Sequence, residues 1–311
     1  MPEETRTRLL EAYTSQDLQI SMFDESLLVR RSDLEQLGGF CGGKSTQLML
    51  NLETEQQRYV DMDYPPIAIY GTAGSGKTAV AIYRAIRLTQ EGQKVLLLTF
   101  SSRLSLETKK LIISVLGHIP SNLTVTTFHK EMLTLSRRLG IHLQMEEDNE
   151  SKKQSVYMDL IEDAILEVKK TSTSYKFLND KSFIQDEIRY VIKGSNRITW
   201  EKYKTGDREG RGTGLRRSGE REVMWRIYEI YQEKLVQVGL DDWADVAAIV
   251  LHTMQVMQKK DNFNCYNAII VDEAQDLSLV ETQAIKQLAL SSNFENSQCS
   301  LIFFLDIVQK L

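Results

Sequence analysis

Residues 67–78 read Ile67-Ala68-Ile69-Tyr70-Gly71-Thr72-Ala73-Gly74-Ser75-Gly76-Lys77-Thr78. A short apolar run typical of a buried strand leads into the pattern G-x-x-x-x-G-K-[ST], and helical spacing follows. The glycines of such a loop let successive backbone N–H groups surround a phosphate chain. Lys77 is predicted to reach the β- and γ-phosphates, and the Thr78 hydroxyl to ligate Mg²⁺. The predicted phosphate-binding residues are Gly71, Thr72, Ala73, Gly74, Ser75, Gly76, Lys77 and Thr78.

The same pattern occurs a second time at residues 38–45, which read GGFCGGKS. The residues before this copy have helical spacing, so no buried strand would aim its amides at a phosphate. We predict a helix end and a linker there.

Further apolar runs and helical stretches alternate along the chain. The runs lie at residues 94–100, 123–128, 268–272 and 301–304. Strands that alternate with helices predict an α/β fold with a parallel sheet buried on both faces. Residues 141–263 interrupt the alternation and have a mostly helical pattern. The predicted organisation is an extension of unknown role with helical stretches (1–51), a discontinuous nucleotide-binding domain (52–140 and 264–311) and an inserted helical domain (141–263).

Two carboxylates follow the apolar run at 268–271. Asp272 is predicted to hold Mg²⁺, and Glu273 to polarise an attacking water. Acidic residues that decorate a helix N-terminus are the structural alternative. The phosphate loop earlier in the chain favours the nucleotide interpretation.

Composition limits the classes of protein. A net charge of −5 argues against non-specific coating of nucleic acid. Three cysteines without a CxxC pair argue against a disulfide framework or a metal cage and favour a reducing, cytoplasmic location. No apolar run approaches the ~20 residues of a membrane span.

Residues 193–226 form a locally basic segment, with ten Lys and Arg against five Asp and Glu. Trp200, Tyr203 and Trp225 lie among these charges, a composition that suits backbone tracking and base stacking. The arginines predicted to contact nucleic acid are Arg211, Arg216 and Arg217. The alternative is a solvated loop between helices, with Trp225 in a helical core.

The phosphate loop, followed by Asp272-Glu273-Ala274-Gln275-Asp276, resembles the UvrD/Rep-type helicases of superfamily 1. The resemblance implies a RecA-like P-loop NTPase domain with an inserted helical domain. It implies ATP and Mg²⁺ as cofactors, and single-stranded or partly duplex DNA as partner; RNA stays open. No membrane partner is expected.

Smaller motifs occur in the order expected for this family. Gln56 and Arg84 match its adenine contacts, and Gln309, in Asp306-Ile307-Val308-Gln309, matches its γ-phosphate sensor. Residues 242–246 match a helix that precedes the acidic motif. The matches to its DNA-contacting segments are Thr99, Phe100 and Arg103, and Thr127, Phe128 and His129.

Some positions depart from the family pattern. Leu305 stands where the family has glycine, and Ser101-Ser102 replaces Thr-Asn. The chain also ends at Leu311, before a second RecA-like domain, which is expected to act in trans or to be lost by truncation. We therefore expect the chain to bind ATP and to hydrolyse it slowly or not at all. The alternative is a nucleotide-binding interaction module without catalysis of its own.

Overall fold

The computed structural model describes residues 19–22, 52, 54–62, 67–145, 156–171, 175–196, 198–206, 215, 219–257, 266–292 and 299–306. The second glycine-rich match at 38–45 lies outside these residues, as do Gln309, Arg211, Arg216 and Arg217.

The described residues form one parallel six-stranded sheet. Its strands are β1 (Gln19–Met22), β2 (Ile67–Gly71), β3 (Val95–Thr99), β4 (Leu123–Thr127), β5 (Ala268–Val271) and β6 (Ser300–Asp306). Their order across the sheet is β1-β2-β6-β5-β3-β4. The α/β fold class predicted from the sequence is confirmed.

Strand β1 is an element that the sequence analysis did not predict. Residues 19–22 read Gln-Ile-Ser-Met and pair in parallel with β2. Their polar–apolar alternation suits a strand at the edge of a sheet, but four residues are too few to distinguish the two periods from sequence.

Helices connect the strands and fill the interruption between β4 and β5. The α-helices are α1 (Thr54–Asp61), α2 (Lys77–Gln90), α3 (Ser102–Leu116), α4 (Phe128–Arg138), α5 (Val156–Lys169), α6 (Lys181–Asp186), α7 (Trp200–Thr205), α8 (Glu220–Val238), α9 (Trp243–Val256) and α10 (Leu279–Ser291). A π-helix spans Glu187–Lys193, and 3₁₀ turns span Lys176–Asn179 and Ala274–Asp276.

Packing divides the chain into two compact units. The sheet unit comprises the described residues within 1–131, 257–277 and 285–310, and the helical unit those within 132–256 and 278–284. The first turns of α10 therefore pack with the helical unit, although they follow the acidic motif in sequence. The domain boundaries at 141 and 263 stay a prediction.

Each unit has its own apolar core. In the sheet unit every residue of β3 and β5 is buried, because helices cover both faces of a parallel sheet. The core of the helical unit includes Ile161, Ile192, Met224 and Ile227. Within the described part of the chain, no helix is long and apolar enough to cross a membrane.

Candidate nucleotide site

The predicted phosphate loop connects the end of β2 to the start of α2. Gly74 and Gly76 both have φ 81°, a left-handed conformation that favours glycine. The Ser75 N–H donates to the Thr72 carbonyl at 3.1 Å, which closes the turn. A Cβ on Gly76 would lie 2.7 Å from Gln56 Nε2, so any other residue there would adopt a strained backbone and displace the Gln56 amide.

Helix α1 packs over this loop. The buried Gln56 side chain donates from Nε2 to the Ser75 carbonyl at 3.1 Å. Arg84, on α2, donates to the carbonyls of Tyr59 and Val60 at 2.7 and 3.3 Å. Arg84 is only 2% exposed, and its hydrogen bonds attach α1 to α2. Gln56 therefore contacts the phosphate loop, whereas Arg84 contacts the backbone of α1. Their adenine-contacting roles stay predictions.

Lys77 points back along the loop. Its Nζ donates to the carbonyls of Gly71 and Thr72 at 2.9 and 2.8 Å. The same Nζ lies 3.7 Å from Oδ2 of Asp306, at the end of β6. Asp306 balances the buried lysine charge, a role that sequence reasoning missed although Asp306 lies in a recognised motif.

Thr78 and Asp272 meet although 194 positions separate them. The Thr78 hydroxyl donates to Asp272 Oδ2 at 2.7 Å. Burial raises the pKa of Asp272 to about 6, and the charge of Glu273 adds to this while the Thr78 hydrogen bond opposes it.

This pair suits a magnesium ion. A hydroxyl and a carboxylate oxygen are the hard donors that Mg²⁺ prefers, and Mg²⁺ beside nucleotide phosphates usually takes only one or two protein ligands. The described residues contain no cluster of three or more His, Cys, Asp or Glu side chains suited to a metal.

Glu273 has an unusual backbone. Its φ is 54°, one of two positive values among the described non-glycine residues. Its N–H donates to Asp272 Oδ1 at 3.1 Å, and its Oε2 accepts a hydrogen bond from Gln275 Nε2. Left-handed conformations of such residues cost about 1–3 kcal/mol and cluster at functional sites.

Leu305 does not disturb this arrangement. It is 2% exposed and is an ordinary residue of β6, which continues through Asp306. The register pairs Asp306 with Gly71, so the strand end reaches the loop without the family's glycine.

The predicted DNA-contacting residues after β3 lie at the same edge of the sheet as the loop. Thr99 Oγ1 lies within 3.4 Å of the carbonyls of Ser101 and Thr126, so it supports the local turn. Phe100 is 40% exposed. Arg103 is exposed and pairs with Glu107 at 3.0 Å.

The residues after β4 are less accessible. Thr127 Oγ1 accepts from the Lys130 N–H at 3.3 Å and supports the start of α4. Phe128 is 3% exposed, so its ring has no free face for a base in this conformation. His129 is half-buried and contacts the edge of Phe128 at a ring separation of 5.5 Å.

The basic segment in the helical unit is less basic at its surface than its sequence suggests. Lys193 is buried, and its Nζ lies 2.6 Å from Asp242 and 2.7 Å from Asp245. Arg221 is also buried and donates to three backbone carbonyls at the end of α7. At least two of the ten Lys and Arg residues of this segment therefore pair with groups inside the helical unit and are not available to a ligand at its surface.

The aromatic residues of this segment form part of the core. Tyr203 is 1% exposed and stacks on Trp225 at 5.7 Å, and Trp200 lies 6.0 Å from Trp225. Trp200 and Trp225 both pack against the core of the helical unit. Burial excludes Tyr203 as a base-stacking platform, whereas Trp200 and Trp225 are half-buried against the core, and their base-stacking role stays a prediction.

A phosphate loop that faces a carboxylate at the end of another parallel strand defines a P-loop nucleotide-binding protein. The family described as UvrD/REP helicase N-terminal domain matches residues 52–306, and the chain belongs to that family. The resemblance predicted from the motifs is confirmed.

Several named helicases are similar to the chain. It is 24% identical over 267 residues to the ATP-dependent DNA helicase PcrA of Bacillus subtilis, covering 81% of this chain and 33% of that protein. It is 23% identical over 262 residues to a probable DNA helicase II homologue of Mycoplasma capricolum, with 80% and 34% covered. It is also 24% identical over 259 residues to PcrA of Staphylococcus aureus, with 80% and 33% covered. The chain spans about a third of the length of these relatives.

Proposed function

We propose that this chain is the ATP-binding, nucleic-acid-dependent ATPase module of a UvrD-like DNA helicase. The observation that carries the proposal is the 2.7 Å hydrogen bond between Thr78 and Asp272. It joins the phosphate loop to the acidic motif, as a shared Mg²⁺ site requires. The names of the relatives, ATP-dependent DNA helicases, support the same substrates for this chain.

The loop residues would bind the triphosphate through their amides, and Lys77 would neutralise the β/γ oxygens once it leaves the carbonyls of Gly71 and Thr72. Thr78 and Asp272 would hold Mg²⁺, which supplies charge neutralisation on the phosphates. Glu273 lies next in the chain, where its carboxylate can orient a water or accept its proton. These steps need positioning and electrostatics rather than covalent chemistry.

Single-stranded DNA is the proposed partner, with RNA as the alternative. Phe100 offers an exposed aromatic face at the carboxyl edge of the sheet, suited to stacking on a base. In a longer protein like the relatives, hydrolysis would drive movement along the strand. Thr99, Arg103, Thr127, Phe128 and His129 stay predicted contacts.

Nucleotide binding and single-turnover ATP hydrolysis, with and without oligothymidylate, test the proposal. Lys77→Ala removes a charged hydrogen bond worth about 1.5–3 kcal/mol, so ATP affinity should fall about 10- to 100-fold. Glu273→Gln should keep ATP binding and slow hydrolysis about 10²- to 10⁴-fold. Lys110→Ala, at an exposed lysine of α3, is the control and should change neither measurement.

Two results would contradict the proposal. Equal ATP affinity in the wild type and Lys77→Ala would show that the loop does not hold the phosphates. Equal hydrolysis in the wild type and Glu273→Gln would remove the assigned base and favour a nucleotide-binding module without catalysis. Stimulation by oligoribonucleotides alone would identify RNA as the strand.

A further inference from the structure

Gln275 lies between two parts of the nucleotide site. Its Nε2 donates to Oε2 of Glu273, and its Oε1 accepts the backbone N–H of Asp306 at 2.9 Å. The side chain is 2% exposed. An amide is suited to this place because one end donates and the other accepts.

The first of these contacts restrains the carboxylate of Glu273. This residue is only half-buried and follows Asp272 in a left-handed turn, so packing alone does not fix its side chain. The donor from Gln275 occupies Oε2 and leaves Oε1 for another partner. A fixed carboxylate loses less conformational entropy when a water must be held in one orientation.

The second contact connects this carboxylate to the opposite side of the site. Asp306 follows Leu305 at the end of β6, and its own carboxylate lies 3.7 Å from Lys77 Nζ. A continuous series of contacts therefore runs from Lys77 through Asp306 and Gln275 to Glu273. The end of β6 therefore contacts the phosphate-binding Lys77 directly and the predicted base Glu273 through Gln275.

We propose that Gln275 is a positioning residue, which orients the Glu273 carboxylate for the attacking water by holding it against the backbone of Asp306. This inference rests on the proposed function, in which Glu273 acts on that water. Gln275 itself contacts neither the phosphates nor the water.

Two substitutions separate its two hydrogen bonds. Gln275→Glu keeps an acceptor for the Asp306 N–H and replaces the donor to Glu273 with a repelling oxygen. Gln275→Met keeps the volume and removes both bonds, so it tests the inference even where a buried carboxylate prevents folding. Gln93→Glu is the matched control, because Gln93 Nε2 also faces a glutamate two residues away, Glu91, at 3.4 Å on the exposed surface.

Single-turnover hydrolysis over a range of ATP concentrations gives the first readout. Both Gln275 variants should lower the maximal rate about 10- to 100-fold, as loss of a supporting residue typically does. The ATP concentration at half-maximal rate should stay at the wild-type value, since Gln275 makes no contact with the loop. Gln93→Glu should match the wild type in both quantities.

Amide hydrogen exchange at Asp306 gives a readout that needs no turnover. Exchange should be faster in Gln275→Met, which lacks the acceptor, and unchanged in Gln275→Glu. Unchanged exchange in Gln275→Met would overturn the connection to β6.

The kinetic outcomes distinguish this inference from the proposed function. Wild-type rates in both Gln275 variants would overturn the inference while the Glu273→Gln effect stands. A raised half-saturating ATP concentration with an unchanged maximal rate would also overturn it, because Gln275 would then shape the binding loop. Absence of hydrolysis by the wild-type chain, with oligothymidylate present, would agree with the expectation of slow or no turnover; the ATP affinities of the wild type and Lys77→Ala would then test the proposed function, and amide exchange at Asp306 would test the inference.

Discussion

Gln56 should add to the cost of replacing the glycine at position 76, and a double-mutant cycle can measure this. Gly76→Ala places a methyl group 2.7 Å from Gln56 Nε2, which must move away and give up its hydrogen bond to Ser75. The left-handed backbone adds about 1–2 kcal/mol of strain for any L-residue, and the hydrogen bond contributes about 1 kcal/mol. We expect the free energy of unfolding to fall by about 2–3 kcal/mol.

The Gln56→Ala background should reduce this cost. With the amide already absent, Gly76→Ala should cost only the strain of about 1–2 kcal/mol, which leaves a coupling energy of about 1 kcal/mol. Gly74 is the matched control, since it has the same φ of 81° and a Cβ added there would meet no heavy atom of the described residues within 4 Å. Gly74→Ala should therefore cost the same in both backgrounds.

Urea unfolding followed by far-ultraviolet circular dichroism gives these energies from the midpoint and slope. Equal costs of Gly76→Ala in the two backgrounds would refute the contact between Gln56 and the loop. If the coupling energy between Gly74→Ala and Gln56→Ala equalled that between Gly76→Ala and Gln56→Ala, Gln56 would act on the whole loop and not on position 76.

Two further predictions concern buried charges. Because the pKa of Asp272 is raised to about 6, its ionised form is disfavoured in the folded chain. This residue therefore contributes stability that is present below its pKa in the unfolded chain, near 4, and is lost as the pH rises through about 6. The Mg²⁺ dependence of ATP binding, measured by titration between pH 5 and 8, should weaken below pH 6 or so, and a flat profile would show that Asp272 does not hold the ion. Lys193→Met should lower the free energy of unfolding by about 3–5 kcal/mol, because it leaves the buried Asp242 and the half-buried Asp245 without their cation. Urea unfolding measures this. Lys202→Ala, at an exposed lysine of α7, should stay within about 0.5 kcal/mol of wild type, and equal effects of the two substitutions would contradict the ion cluster.

The phosphate loop and the acidic motif could be predicted because their chemistry is local in sequence. Each requires a strand, a fixed order of residues and a turn, and all three are visible within a dozen positions. The meeting of Thr78 with Asp272 follows from the rule that parallel strands bring their carboxyl ends to one edge of the sheet.

The basic segment could not be interpreted in the same way, because a charge count does not show where a cation points. Lys193 neutralises Asp242, which lies 49 positions further along the chain, and Arg221 satisfies carbonyls at the end of α7. In both cases a buried cation has its partners in another element. Lys202 and Lys204 are exposed, and so is Glu201 between them and Trp200, so among the described residues exposed charges of both signs lie side by side.

The order of the strands explains why Asp306 contributes to the site. Strand β6 lies between β2, which carries the loop, and β5, which carries the acidic motif. With neighbouring strands about 4.8 Å apart, the ends of β2 and β5 are separated by about 10 Å, too far for one side chain to hold both. Asp306 fills the interval, with its side chain toward Lys77 and its backbone N–H toward Gln275. Leu305 is compatible with the site because β6 must continue as a regular strand up to Asp306, so no turn, and no glycine, is needed at position 305.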